Sequence, residues 1–302
     1  MANRMVRMTI DFGSELSETQ RTAVQALCAQ ATHADQVRPL NEAALLAVDG
    51  SSTAEHALLS AEHEPNLLGY AQFDGRDVQL LIAPAYRGQG LGRELAQAVQ
   101  RRWQPQGWWS FGTLAPAARL AERLELRAVR ELAKMTMTLT EVPPMPDFDA
   151  GLELTTFTDD DLAALVAVNA RAFADHPEQG QMDIADARRR MAQDWFEPSD
   201  LLLLRTNDGQ LAGFHWTKLE ADIGEVYVIA VDPDFAGQGL GRQLLNAGLR
   251  HLQQRDARVV ELYVEKNNTQ VVRLYQTSGF QITNLDTNYA PMSYDQPRQS
   301  TN

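Results

Sequence analysis

Apolar positions along this chain recur at two spacings, and the change from one to the other occurs twice in the same setting. Residues 223–231 (IGEVYVIAV) alternate, with Val226, Val228 and Ala230 on one side and Glu225, Tyr227 and Ile229 on the other. That period predicts a strand. Asp232-Pro233 ends it, because proline has no N–H for the ladder and a fixed φ. From Leu240 the spacing lengthens, and Leu244, Leu245, Leu249 and Leu252 fall on one helical stripe. Between strand and helix, Gly237, Gly239 and Gly241 let the backbone approach a ligand with no Cβ in the way. A glycine loop entering a helix aims free N–H groups and the positive end of the helix dipole at one point, an anion site best suited to phosphate.

The device is duplicated. Residues 84–95 read PAYRGQGLGREL and residues 233–244 read PDFAGQGLGRQL. One Gly-x-Gly pattern is weak evidence; two copies of GQGLGR, each after a strand and a proline, predict an internal repeat. Each loop also follows a hairpin. NLLGYAQF and DVQLLIAP flank Asp74-Gly75, and LLLLRT and LAGFHWTKL flank 207–210. Further helices are predicted over 17–31 (Ser17 as N-cap), 89–103, 116–126, 159–173, 183–195 and 267–280, the last ended by Gly279. Further strands are predicted over 108–114, 132–140, 152–157 and 258–265, with short ones at 280–283 and 289–294. The expected fold is α/β with mixed sheets, in two tandem domains. The halves are 1–140 and 152–302, joined by the linker 141–151 with Pro143, Pro144 and Pro146.

Composition narrows the classes. The chain has 302 residues, 44% hydrophobic and 22% charged, ordinary for two globular domains. A net charge of −13 argues against a nucleic-acid-binding surface. The single cysteine, Cys28, excludes an internal disulfide or a cysteine zinc cluster, and its place among Val24 and Leu27 predicts a core residue. No run approaches the ~18 apolar residues of a membrane span, so a cytoplasmic protein is expected. His176 and His215 have no metal-ligand spacing, and a structural role and no metal are expected.

Each half resembles the GNAT N-acetyltransferase superfamily, in its strand, its Arg/Gln-x-x-Gly-x-Gly/Ala loop and helix, and its later Leu-Tyr and Gly-Phe pairs. Arg87, Gly88, Gln89, Gly90, Leu91 and Gly92 match the loop fully; Ala236 replaces the Arg or Gln in the second half. NARAFADHPEQG, WFEP, GFHWTK, GEVYVIAVDP, LYVEKNN and LYQTSGF (within 169–280) are similar to the second domain of the mycothiol synthase family. The resemblance implies acetyl transfer from acetyl-CoA to the cysteinyl amine of a cysteine–glucosamine–inositol conjugate; a monomer without nucleic-acid, membrane or metal partners is expected.

The resemblance also implies residue roles. Acetyl-CoA would lie on Ile229, Ala230 and Val231, on Ala236, Gly237, Gln238, Gly239, Leu240, Gly241 and Arg242, and on Asn268, Thr269, Gln270, Val271, Val272 and Arg273. A second donor site would use Gln79, Leu80, Leu81 and the first loop. Glu225 would be the general base and Tyr275 the general acid toward the CoA sulfur. Aligning RLAERLELR under RLYQTSGFQ sets Ala121 opposite Tyr275, so catalysis is expected in the second half only. Glu42, Glu178, Lys218, Glu225 and Tyr263 would hold the conjugate. Two alternatives stay open: an acetyltransferase for a protein N-terminus or another small amine, and a non-catalytic acyl-CoA sensor.

Overall fold

The computed structural model describes residues 8–62, 66–140, 144–146, 148–149, 151–174 and 179–292. It divides into two compact units: the first holds the chain to Ala133 and again from Asn284, the second Lys134 to Thr283. The division therefore falls inside strands and not at the proline-rich stretch. Of that stretch, residues 141–143, 147 and 150 lie outside the described residues, and the rest carry no helix or strand.

The first unit runs β1 (Met8–Gly13), α1 (Glu18–Asp35), α2 (Glu42–Asp49), β2 (Glu55–Ala61), β3 (Gly69–Phe73), β4 (Asp77–Ile82), α3 (Leu91–Trp103), β5 (Gly107–Ser110), α4 (Ala115–Arg123) and the first part of β6 (Leu126–Thr138). β1 to β4 pair antiparallel in sequence order and β4 runs parallel to β5. Val24, Leu27 and Ala31 of α1 pack on Leu58, Tyr70 and Leu81, while Leu95 and Val99 of α3 pack with Leu59, Ala71 and Val78. Helix α1 starts on the capping box of Ser17 and Gln20. Cys28 is buried in the first cluster, and burial pushes its thiol up to about 11.

The second unit continues through β7 (Leu152–Thr156), α5 (Leu162–Ala172), α6 (Ile184–Met191), β8 (Leu201–Thr206), β9 (Leu211–Glu220), β10 (Ile223–Val231), α7 (Leu240–Gln254), β11 (Val259–Glu265) and α8 (Thr269–Thr277). β7 to β10 pair antiparallel in sequence order, and β10 is parallel to β11. Leu165 and Val168 of α5 cover Leu203, Phe214 and Trp216. Leu240 and Leu244 of α7 cover Leu204, Ala212 and Ile229. The last strand, β12 (Gln281–Pro291), is continuous where the sequence suggested two short ones. Its Thr287, Asn288 and Tyr289 pair with Ser110, Trp109 and Trp108 of the first unit's β5. The polar residues that break its apolar pattern are bonded: Asp286 accepts from the Gly112 N–H at 2.7 Å and Asn288 Nδ2 donates to Asp77 at 3.0 Å.

The alternation expected along 223–231 fails at one point. Val226 opposes Thr217 but Val228 opposes Trp216, so Tyr227 is an extra residue in β10. Directly opposed residues share a face, and Phe214, Trp216 and Lys218 share one face of β9. Val228 and Ala230, paired with Trp216 and Phe214, therefore lie on the face of Glu225, which pairs with Lys218. Ile229 lies on the face of α7. The bulge switches the strand's parity beside the site.

His215 lies on the α7 face. Its Nδ1 donates to the Leu244 carbonyl at 2.9 Å, and burial holds the ring down to about pH 4, so it is neutral at pH 7. The ring fits because α7 has Gly248 opposite; a Cβ there would lie 2.0 Å from His215 Nδ1. Gly248→Ala should therefore cost ~1–3 kcal/mol by overpacking, outweighing the ~1 kcal/mol that alanine gains over glycine in a helix. The measurement is the urea midpoint; an unchanged or higher midpoint would mean the ring has room to shift.

Candidate active site

The two glycine loops have one geometry. A short 3-10 turn after the strand (Pro84–Tyr86, Pro233–Phe235) leads to two left-handed glycines, at φ 76° and 90° for Gly88 and Gly90 and 78° and 77° for Gly237 and Gly239. These angles favour glycine. Gly90 and Gly239 are the N-caps of α3 and α7, and no side chain caps either helix start. The first-turn N–H groups and the dipole thus face outward, as an anion site requires.

Each loop is tied to the helix that opens the α/β part of its unit, with the charges exchanged. Arg87 donates from Nε to the Ile82 carbonyl at 3.0 Å and forks onto Asp35 at the end of α1 at 2.6 and 2.8 Å. In the second unit the cation is on the helix: Arg171 of α5 meets Asp232 at 3.2 Å and Asp234 at 2.8 Å. The motif arginine is thus held by one carboxylate and a backbone carbonyl, and its replacement by Ala236 is matched by a bridge from elsewhere.

The strands part beside the second loop. β10 and β11 pair at Ile223↔Val259, Gly224↔Val260 and Glu225↔Glu261, after which both continue unpaired with each other to Val231 and Glu265. Ile229, Ala230 and Val231 line the open side. In the first unit β4 runs on past its last pair with β5, Gln79↔Trp109, to Ile82, while β5 ends at Ser110. β4 meets β3 without a bulge.

At the parting in the second unit, the half-buried Glu225 is flanked by Lys218 across one ladder and Glu261 across the other. Lys218 is 8% exposed; its Nζ is 3.0 Å from Glu220 Oε2, 4.8 Å from the Trp195 ring centre and 6.0 Å from that of Tyr227. Tyr263, exposed two residues after Glu261, has Lys134 Nζ over its ring at 5.7 Å, and Lys134 pairs with Glu261 at 2.6 Å. Glu225, Lys218 and Tyr263 are thereby on one sheet face. Glu42 is exposed in the first turn of α2, in the first unit. Glu178 and His176 lie outside the described residues.

Tyr275 is on α8, 5% exposed, with its ring edge-to-face on Phe280 at 5.7 Å. Burial pushes its hydroxyl up to about 12, so it stays protonated through neutral pH. Arg242, from the first turn of α7, reaches the far end of α8 and donates to Thr277 Oγ1 at 2.8 Å and Ser278 Oγ at 3.5 Å. Loop and tyrosine helix are thus tied. Asn268 caps α8 by accepting from the Val271 N–H, Val272 is buried, and Thr269, Gln270 and Arg273 are exposed along it. In the first unit α4 is nine residues long like α8, and Ala121 is its seventh residue as Tyr275 is of α8.

Sequence reading missed the aromatic cluster beside Lys218. Trp195 and Trp216 lie 4.9 and 5.4 Å from Tyr227, and Phe196 lies 5.5 Å from Trp216. It also missed Asn169, fully buried, whose amide takes both ends of Gln179: Nδ2 to its carbonyl at 2.7 Å and Oδ1 from its Nε2 at 2.9 Å. An asparagine on an apolar helix face was the available signal.

Anion loop and tied helix, present in both units, with the parted strands of the second, define a tandem acyltransferase architecture. A family model described as Acetyltransferase (GNAT) family matches residues 22–124 and 165–280. A mycothiol acetyltransferase of Propionibacterium freudenreichii is 44% identical over 95% of both chains, and one of Thermobispora bispora 43% identical over 91% of this chain and 98% of its own. Among solved structures, a tandem GNAT protein from the clavulanic acid biosynthesis pathway superimposes with a TM-score of 0.72 at 16% identity, covering 96% of this chain and all of its own. A GCN5-related N-acetyltransferase from Sphaerobacter thermophilus reaches 0.70 at 24%, over 92% and 94%. The chain belongs to the GNAT acetyltransferase family and is an acetyl-CoA-dependent N-acetyltransferase. Among the described residues no group of histidine, cysteine and carboxylate side chains could hold a metal ion, and no helix is long and apolar enough to cross a membrane.

Proposed function

We propose that this chain is a mycothiol acetyltransferase whose second unit moves acetyl from acetyl-CoA to the cysteinyl amine of the cysteine–glucosamine–inositol conjugate. The observation that carries the reading is the meeting of Glu225, Lys218 and Tyr263 on one face where β10 leaves β11. It is supported by relatives of that name matching nearly the whole chain. The α7 loop N–H groups hold the CoA pyrophosphate, and the open edge at Ile229–Val231 holds the pantetheine. Glu225 takes a proton from the cysteinyl amine, directly or through water, as nitrogen attacks the thioester carbon. The oxyanion collapses, the C–S bond breaks, and Tyr275 gives its proton to the CoA sulfur. Lys218 and Tyr263 bind the conjugate's polar groups. The first unit, with Ala121 in place of the acid, binds acetyl-CoA without transfer. The protein works as a cytoplasmic monomer.

Mass spectrometry of the conjugate after incubation with protein and acetyl-CoA tests this. One added acetyl on the amine is expected. No product, with acetyl-CoA still bound, would overturn it in favour of another amine acceptor or of acyl-CoA sensing.

A further inference from the structure

Lys218 is a buried ammonium with an unusual wall. Its Nζ faces the Trp195 ring at 4.8 Å and the Tyr227 ring at 6.0 Å, and Tyr227 carries the Arg190 guanidinium at 5.7 Å as well. Trp195 is fixed by three other rings: Trp216 at 6.1 Å, Phe196 at 6.4 Å and Tyr227 at 4.9 Å. The β-bulge adds Tyr227 to β10 as an extra residue beside this group, two positions after Glu225.

The indole nitrogens of Trp195 and Trp216 are enclosed and have no hydrogen-bond partner among the described residues. An enclosed N–H without a partner opposes folding. For packing alone, phenylalanine would fill most of the Trp195 site without that penalty. What tryptophan adds is the ring face that attracts a cation most strongly, and a cation stands over it.

We propose that Trp195 is a positioning residue, which with Tyr227 holds the Lys218 ammonium opposite Glu225 so that the acceptor meets a fixed cation beside the base. The proposal rests on the acetyl-transfer reading above and deepens it. The ring faces and Glu220, 3.0 Å away, fix the geometry of the ammonium. Lys218 is held by its own unit before any acceptor arrives, so little side-chain freedom is left to lose on binding.

The test is a ring series, Trp195→Phe and Trp195→Leu. For acetyl transfer to the conjugate, kcat/KM for the acceptor should fall roughly tenfold in W195L and by less in W195F, following cation–π strength. KM for acetyl-CoA should not move. Thermal midpoints should not follow that order, because phenylalanine removes an unpaired N–H. Equal activity across the series, or losses that track the midpoints, would overturn the proposal. A second readout needs no turnover: the Lys218 ε-methylene protons, assigned by comparison with Lys218→Arg, should be shifted upfield by the indole ring in wild type, partly in W195F, and return to the ordinary lysine position in W195L. Ordinary shifts in wild type would overturn the positioning role. Absence of conjugate acetylation by wild type, with the upfield shifts present, would instead overturn the acceptor assignment.

Discussion

Glu225→Gln is expected to lower kcat by about 10²–10⁴-fold near neutral pH, the range for removing a positioned general base. Acetyl-CoA affinity should stay unchanged. Glutamine keeps the size and one acceptor oxygen but cannot take a proton. The loss should also depend on pH in one direction. An α-amino group titrates at about 7.7–8.0, so below that range the acceptor arrives as an ammonium and needs the base. Above it, a growing fraction arrives neutral, and the gap between wild type and variant should narrow. A merely structural carboxylate predicts a gap independent of pH, accompanied by a lower unfolding midpoint. Glu225 lies between Lys218 and Glu261 on a ladder that ends there, so the midpoint needs its own measurement. A variant with wild-type kcat across the range removes Glu225 from the proton path.

The readable parts of this fold were those fixed by local chemistry. Left-handed glycines, Asp-Gly turns and strand-ending prolines impose backbone angles wherever they occur, and the sequence placed both loops, both hairpins and the helices after them. Asp74 shows why: its Oδ1 accepts from the Arg76 and Asp77 N–H groups at 2.9 and 2.7 Å, a turn made from neighbours alone. Features set by a distant partner were not readable. β1 is the exception: MTIDFG alternates Met8, Ile10 and Phe12 with Thr9 and Asp11, so its strand character was readable, and it pairs with β2 some fifty residues on. β12 looked broken because Asn284, Asp286 and Asn288 interrupt its apolar pattern; Gly112 and Asp77, far away in sequence, bond the latter two. The bulge at Tyr227 is invisible for the same reason. Val226, Tyr227 and Val228 are all good strand formers, and only β9 determines which of them is extra. The site divides similarly: loop residues follow from glycine spacing, whereas the Lys218–Glu225 pairing and the Trp195 wall exist only once register and packing are set.

Tyr275→Phe should lower kcat by about 10²-fold or more while leaving the protein folded and acetyl-CoA bound. The ring's contacts are apolar, edge-to-face on Phe280, and phenylalanine preserves them, so the substitution removes a proton and little else. Burial, which pushes the hydroxyl up to about 12, favours this role over a nucleophilic or basic one, because the phenol is protonated whenever the thioester is cleaved. The departing CoA thiolate needs that proton most where water is least able to supply one, as beside a residue 5% exposed. The wild-type enzyme should therefore show no alkaline loss of kcat attributable to Tyr275 below about pH 10, its unperturbed value. The first unit offers an internal control, since Ala121 stands at the same turn of α4. Equilibrium dialysis should find the stoichiometry of acetyl-CoA unchanged in Y275F while single-turnover transfer collapses, because Ala121 brings no phenol to the corresponding turn of the first unit. Transfer at the wild-type rate would mean that the thiolate leaves without a protein acid and that Tyr275 serves packing alone. A partial loss that deepens with rising pH, as solvent protons become scarcer, would mean that water substitutes for the phenol and would measure how much of the barrier the tyrosine removes.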